Sequence, residues 1–260
     1  MRTVLYAEKL VCNNSAPWVV FIHGAGGNVS TWIRQRDTFS KYFRLLFIDL
    51  RDHGNSKNIK PDFNRYSFEV VSKDIKCVLD EHGIHRAHFV TLSFGSILLQ
   101  DFAFRYKSYI HKIVFAGAVF DGGISLRLFV QFARFLNCFL SYPTMYRLFS
   151  YILMPRKQNQ FARRLYQTQS KKISQSEYMK WMGLYHEFFR VLRAFRKQAT
   201  LYSSLVIMGN QDFMFLKSSR KFCAYQKRSS LLVVENAGHI VNIEKADEFN
   251  RAACAFLLAD

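Results

Sequence analysis

The chain has 260 residues, half of them apolar, which suits one core domain with room for an insertion and excludes a disordered polar chain. Its 37 basic residues against 19 acidic ones leave a net charge of +18, which points to an acidic partner: nucleic acid, an anionic membrane surface or an acidic carrier protein. Glu8 and Lys9 break the only short apolar run near the start, no apolar stretch is long enough to span a bilayer, and the five cysteines are scattered without C-x-x-C spacing, so the expectation is a soluble, cytoplasmic protein without a disulfide framework or metal knuckle.

Trp18–Ile22 is the first run with the character of a buried parallel strand, and it opens into FIHGAGG, residues 21–27, a glycine-rich loop able to offer a backbone N–H to an oxyanion. An amphipathic stretch at 29–40 leads to the run Leu45–Ile48, which ends in DLRDHGNS, Asp49 to Ser56. Residues 66–82 are amphipathic again. The run Ala87–Thr91 then passes straight into Leu92-Ser93-Phe94-Gly95 and a helical pattern at 94–106. This strand–turn–helix setting fits a nucleophilic elbow, G-x-S-x-G, with Thr91 where the first glycine belongs. The strained turn wants small residues two positions either side of the serine; Gly95 complies, and the β-branched Thr91 does so less comfortably.

After the run Ile113–Ala116 comes GAVFDGG, with Asp121, and from there to Lys197 the strand signal disappears. The segment 121–197 is helical in pattern and aromatic, with Pro143 and Pro155 at expected helix boundaries, and it holds 14 basic against three acidic residues. Its stretch LRLFVQFARFLNCFLSY sets Gln131, Arg134 and Cys138 on one helical face among phenylalanines and leucines. Three readings stay open for it: a helix packed on the core, an apolar wall for an acyl chain built by Phe129, Phe132 and Phe135, or contact with a bilayer surface.

Strand character returns at Leu205–Met208, which ends in GNQDFMF and so places Asp212 just past a strand's carboxyl end, where open α/β sheets collect their ligand and catalytic groups. An amphipathic stretch at 217–226, the run Leu231–Val234, the segment ENAGHIVNIEK with His239, and a last amphipathic stretch at 243–258 complete the chain. The alternation predicts an α/β fold with a doubly wound, mostly parallel sheet, its core formed by 1–120 and 198–260 and interrupted by a helical insertion at 121–197. A serine hydroxyl is a weak nucleophile until a base takes its proton, and the chain order Ser93, Asp212, His239 is the order expected for an elbow serine with its acid and base.

Together these stretches resemble the α/β-hydrolase fold superfamily over nearly the whole chain. The HG loop stands as His23-Gly24-Ala25-Gly26-Gly27, and DLRDHGNS matches D-x-R-G-H-G-x-S with Asp52 replacing a glycine. The acid loop is matched by GNQD, with Phe215 in place of a proline three residues on, and the closing pair is Gly238-His239. Residues 121–197 resemble the helical cap that such proteins insert over the active site.

The resemblance implies that Ser93 attacks a carbonyl, that His239 takes its proton and later returns it to the leaving group, and that Asp212 holds the imidazole, with Asp121 as the rival acid. Backbone N–H groups of Ala25 and Phe94 would bind the oxyanion, while Asp49, Arg51 and His53 serve structure. A serine at the elbow implies ester, thioester or, less often, carbon–carbon bond hydrolysis. The expected activity is a serine carboxylesterase for a hydrophobic acyl substrate, with no cofactor and no metal. The alternatives are an ester or thioester hydrolase that docks an acidic acyl carrier protein on Arg156, Lys157, Arg163 and Arg164, and a non-catalytic ligand-binding sensor. Peripheral membrane contact is a further reading of the basic cap, and nucleic-acid binding is not expected without a recognised binding motif.

Overall fold

Seven strands form one sheet: β1 (Ala7–Leu10), β2 (Trp18–Ile22), β3 (Arg44–Ile48), β4 (Ala87–Leu92), β5 (Ile110–Ala116), β6 (Ser203–Gly209) and β7 (Ser229–Val234), in the order β1-β3-β2-β4-β5-β6-β7. These come from a computed structural model that describes residues 4–197 and 200–259, without the side chains of Ser125, His186, Arg196 and Lys197. The expected junction between residues 197 and 198, and the side chains of two of the basic residues counted in the insertion, therefore lie outside what is described. Six strands run parallel, and their central stretches are the apolar runs of the sequence. β1 pairs antiparallel with β3, Ala7 opposite Ile48, and had no apolar run to reveal it because Glu8 and Lys9 stand inside it on a half-buried edge.

Both faces of the sheet are covered, which is why β2 and β4 are buried at every position and read as unbroken apolar runs. On one face lie α2 (Phe68–Glu81) and α3 (Phe94–Arg105). Ser67 caps α2 by accepting the Val70 N–H, and Phe68, Val71, Ile75, Val78 and Leu79 form its buried stripe. The stretch 29–40 is not one helix: it divides into a 3₁₀ turn at Val29–Trp32 and a short α1 (Arg36–Phe39), with Trp32 and Phe39 buried against the second face.

Between β5 and β6 the described residues form five α-helices, α4 (Ile124–Leu136), α5 (Tyr142–Leu153), α6 (Gln160–Ser170), α7 (Gln175–Met182) and α8 (Tyr185–Lys197), with a 3₁₀ turn at Lys157–Asn159. Pro143 lies in the first turn of α5 and Pro155 follows its end, as a residue that lacks an N–H and fixes φ should. The last elements are α9 (Leu216–Tyr225), α10 (Val241–Glu244) and α11 (Ala246–Leu258), the final two separated at Lys245. Among the described residues no helix is long and apolar enough to cross a membrane.

Candidate active site

β4 delivers Ser93 to the head of α3 with φ 52° and ψ −120°, a conformation costly for a residue with a side chain. The turn is held by the Ser93 N–H donating to Ala116 O (2.9 Å) and by close packing on the loop after β2. A Cβ added at Gly95 would lie 2.7 Å from His23 O and 2.9 Å from Ile22 O, so only glycine fits there. Thr91 falls within β4 rather than in the turn, where a β-branched side chain is at home on a buried sheet; its hydroxyl has no hydrogen-bond partner among the described residues.

The ends of three parallel strands bring Ser93, Asp212 and His239 together. His239 Nδ1–H donates to Asp212 Oδ2 (2.8 Å), which leaves Nε2 to accept the Ser93 hydroxyl (2.8 Å). Asp212 and His239 are each 3 % exposed. The Phe215 N–H donates to the other carboxylate oxygen of Asp212 (3.0 Å), and the Phe215 ring lies beside the imidazole with centroids 5.1 Å apart. A proline at this position could not make that hydrogen bond, so the departure from the expected acid loop gives Asp212 a second fixed partner. Asp121 lines a different cleft with Phe120, Ser218 and Lys221.

The HG loop is fixed by two histidines. His53 Nδ1–H donates to Arg51 O (2.8 Å), and its Nε2 accepts the Gly26 N–H (3.1 Å). His23 Nδ1–H donates to Gly24 O (2.8 Å) while its Nε2 accepts the Leu50 N–H (3.0 Å). Burial disfavours charge on both rings, pushing His23 down to about 4 and His53 well below the ordinary imidazole value. The rest of DLRDHGNS is scaffolding. Asp49 accepts the N–H groups of Val29 and Asn55 (2.7 Å each), and buried Arg51 forks onto Asp74 (2.6 and 2.8 Å). Asp52 has φ 64°, the left-handed conformation a glycine would take readily, and its carboxylate accepts the Tyr66 hydroxyl (2.6 Å).

Ser93 and His239 open into a cavity of about 170 Å³. Ala25, Leu92, Ile240 and Ile243 of the core line one side; Phe129 of α4, Phe149 and Leu153 of α5, and Ala162, Leu165, Tyr166 and Gln169 of α6 line the other. Gln169 is 6 % exposed; its Oε1 accepts the Thr31 hydroxyl (3.1 Å), and its Nε2 has no partner among the described residues. A smaller cavity of about 130 Å³ adjoins at Ala25, walled by Gly26, His53, Phe94, Tyr146, Tyr178 and Trp181. Here the insertion touches the HG loop itself: a Cβ on Gly26, whose φ is 71°, would fall 2.3 Å from the Tyr146 ring.

Two expectations for the insertion need correction. Of the predicted aromatic wall only Phe129 lines the cavity; Phe132 and Phe135 are exposed, because the buried stripe of α4 runs through Leu126, Phe129, Val130 and Ala133 and both rings fall outside it. Of the predicted anion-binding group, Arg156, Lys157 and Arg164 are exposed, but Arg163 is half-buried, donating to Met154 O and Arg156 O and lying over the Tyr151 ring. It caps the end of α5. Gln169 went unread, although Ala162, Leu165, Tyr166 and Gln169 share helical spacing, and a glutamine on such a stripe is a legible signal.

Residues 19–252 match the family model described as the alpha/beta hydrolase family. The proline iminopeptidase PfmaB of Pestalotiopsis fici is 24 % identical over 271 residues, covering 93 % of this chain and 92 % of its own. The 2-hydroxy-6-oxo-2,4-heptadienoate hydrolase of Pseudomonas putida is 24 % identical over 256 residues, with 93 % and 89 % covered. Among solved structures, an esterase from Exiguobacterium antarcticum superposes with a TM-score of 0.79 at 18 % identity over 100 % of both chains, a likeness of fold.

Proposed function

The chain belongs to the alpha/beta hydrolase family, and from that premise we propose that it is a serine hydrolase cleaving carboxylic esters of a hydrophobic acyl group. The observation that carries the reading is the hydrogen-bonded line from Asp212 through His239 to Ser93, opening into an apolar cavity. Ser93 Oγ adds to the ester carbonyl as His239 Nε2 takes its proton; the same proton then goes to the departing alkoxide, leaving an acyl-serine that water hydrolyses by the same route. The N–H groups of Ala25 and Phe94 hold the oxyanion, the second at the start of α3, where the helix dipole favours negative charge. With the Gly26 N–H engaged by His53, the loop presents Ala25 from a fixed backbone.

The cavity's composition narrows the substrate. None of its lining residues is Asp, Glu, Lys or Arg, so a peptide's terminal amine or a dienoate's carboxylate would enter without a counter-charge. The Gln169 Nε2 is buried at the cavity wall without a partner among the described residues, and a small rotation of the side chain would offer it to an acyl group that carries a hydrogen-bond acceptor, such as an oxo or hydroxyl oxygen, along an otherwise apolar chain. A panel of esters and thioesters of graded chain length, with and without that oxygen and with Ser93→Ala as control, tests the proposal. Wild-type turnover by Ser93→Ala, or a preference for charged acyl groups, would overturn it.

A further inference from the structure

α4 has two apolar faces. The inner one holds Leu126, Phe129, Val130 and Ala133; the outer one holds Ile124, Leu128, Phe132 and Phe135, followed by Phe139 in the turn that continues the helix. Spacings of four, four, three and four residues set these five side chains in one stripe, and they are 53–78 % exposed. Single exposed apolar residues are ordinary on a protein surface, but a continuous stripe of five marks an interaction face.

Cations border it. Arg127 and Arg134 are exposed on α4 and lie over Phe189 and Tyr185 of α8 (4.6 and 4.3 Å), and Arg193 is exposed on α8. α4 contains no acidic residue, and the single carboxylate of α8, Glu187, lies beside Arg190.

We infer that this face docks on an anionic lipid bilayer, the stripe entering the acyl boundary while the arginines meet headgroup phosphates. A second copy of the chain is the wrong occupant: a two-fold contact would bring the arginine borders of both copies into one interface, with no carboxylate on α4 to meet them, in a molecule of charge +18. The protruding side chains form a ridge, which fluid lipid covers without needing a matching groove. Docking would also set the active-site cavity one helix away from the lipid, because Phe129 on the inner face of α4 is part of its wall; that consequence rests on the hydrolase reading, whereas the docking does not.

Co-sedimentation with phosphatidylcholine vesicles, with and without phosphatidylglycerol, tests the inference. Binding to the anionic vesicles should be stronger by about tenfold or more and should weaken with added salt. Leu128→Ser with Phe139→Ser, and separately Arg134→Glu with Arg193→Glu, should each lower it by about tenfold. Both double variants should keep the wild-type melting temperature and hydrolysis of a short soluble ester. Ser93→Ala should bind vesicles as the wild type does, so a failure of the catalytic reading leaves this one standing. Equal binding to both vesicle types, indifference to both double variants, or salt-sensitive capture of an acidic acyl carrier protein with vesicles ignored would overturn it.

Discussion

The sheet and the helical insertion place their apolar residues by different rules. In the sheet, helices lie on both faces, so β2 and β4 are buried throughout and their polar neighbours sit at fixed strand ends. In the insertion, α4 carries apolar residues inward and outward alike, and its arginines lie over aromatic rings of α8. On the proposed reading, the core fixes where chemistry occurs and the insertion governs what reaches it. Substitutions in the core should abolish turnover, and those in the insertion should redirect it.

The largest expected effect lies in the core: Ser93→Ala or His239→Ala should lower kcat on the best ester by about 10⁴ to 10⁶. An insertion variant of equal severity, with its substrate preference unchanged, would break the division. Asp212→Asn should cost about 10⁴ in kcat by leaving the imidazole in the wrong tautomer, while Asp121→Asn in its separate cleft should change little. The same kinetic assay checks both, and a reversed result would move the acid.

Stability against pH is the next effect in size. Burial holds His23 and His53 neutral, so below the ordinary imidazole value of 6.5 the unfolded chain takes up protons that the folded chain refuses. Stability should therefore be full above that value and fall as pH drops from 6.5 toward about 4, where His23 itself titrates, by roughly 1.4 kcal/mol per pH unit for each ring. Urea unfolding midpoints between these limits measure it. A flat profile would show that the HG loop does not depend on neutral rings.

Gln169→Met, in the insertion, should act on selectivity. The ratio of kcat/KM for an oxo- or hydroxy-acyl ester over its plain counterpart should fall about tenfold, with the plain ester nearly unaffected. An unchanged ratio would remove the amide from substrate recognition.

The same division explains what the sequence made legible. Five strands announced themselves because burial on both faces leaves little polar alternation, the edge strand β7 showed only through its apolar run Leu231–Val234, and the order of Ser93, Asp212 and His239 follows from where those strands end. β1 was silent because an edge strand tolerates Glu8 and Lys9. On α4, helical period alone cannot say which of two apolar faces looks inward, so Phe132 and Phe135 were placed on the wrong side. The backbone accounts for the departures from the pattern at Asp52 and Phe215: one residue tolerates φ 64°, and the other uses an N–H that proline lacks.

The contact between Tyr146 and Gly26 limits how far the insertion can be treated as an exchangeable module. The ring lies against bare loop backbone, in space that a single added carbon would fill. A chimera receiving a foreign insertion without a flat side chain at that point would expose the peptide beside Ala25 to water and loosen the loop it helps to seat. On the proposed reading, changes along the α4 and α6 walls can alter substrate range without touching this contact, whereas α5 is coupled to the loop it covers.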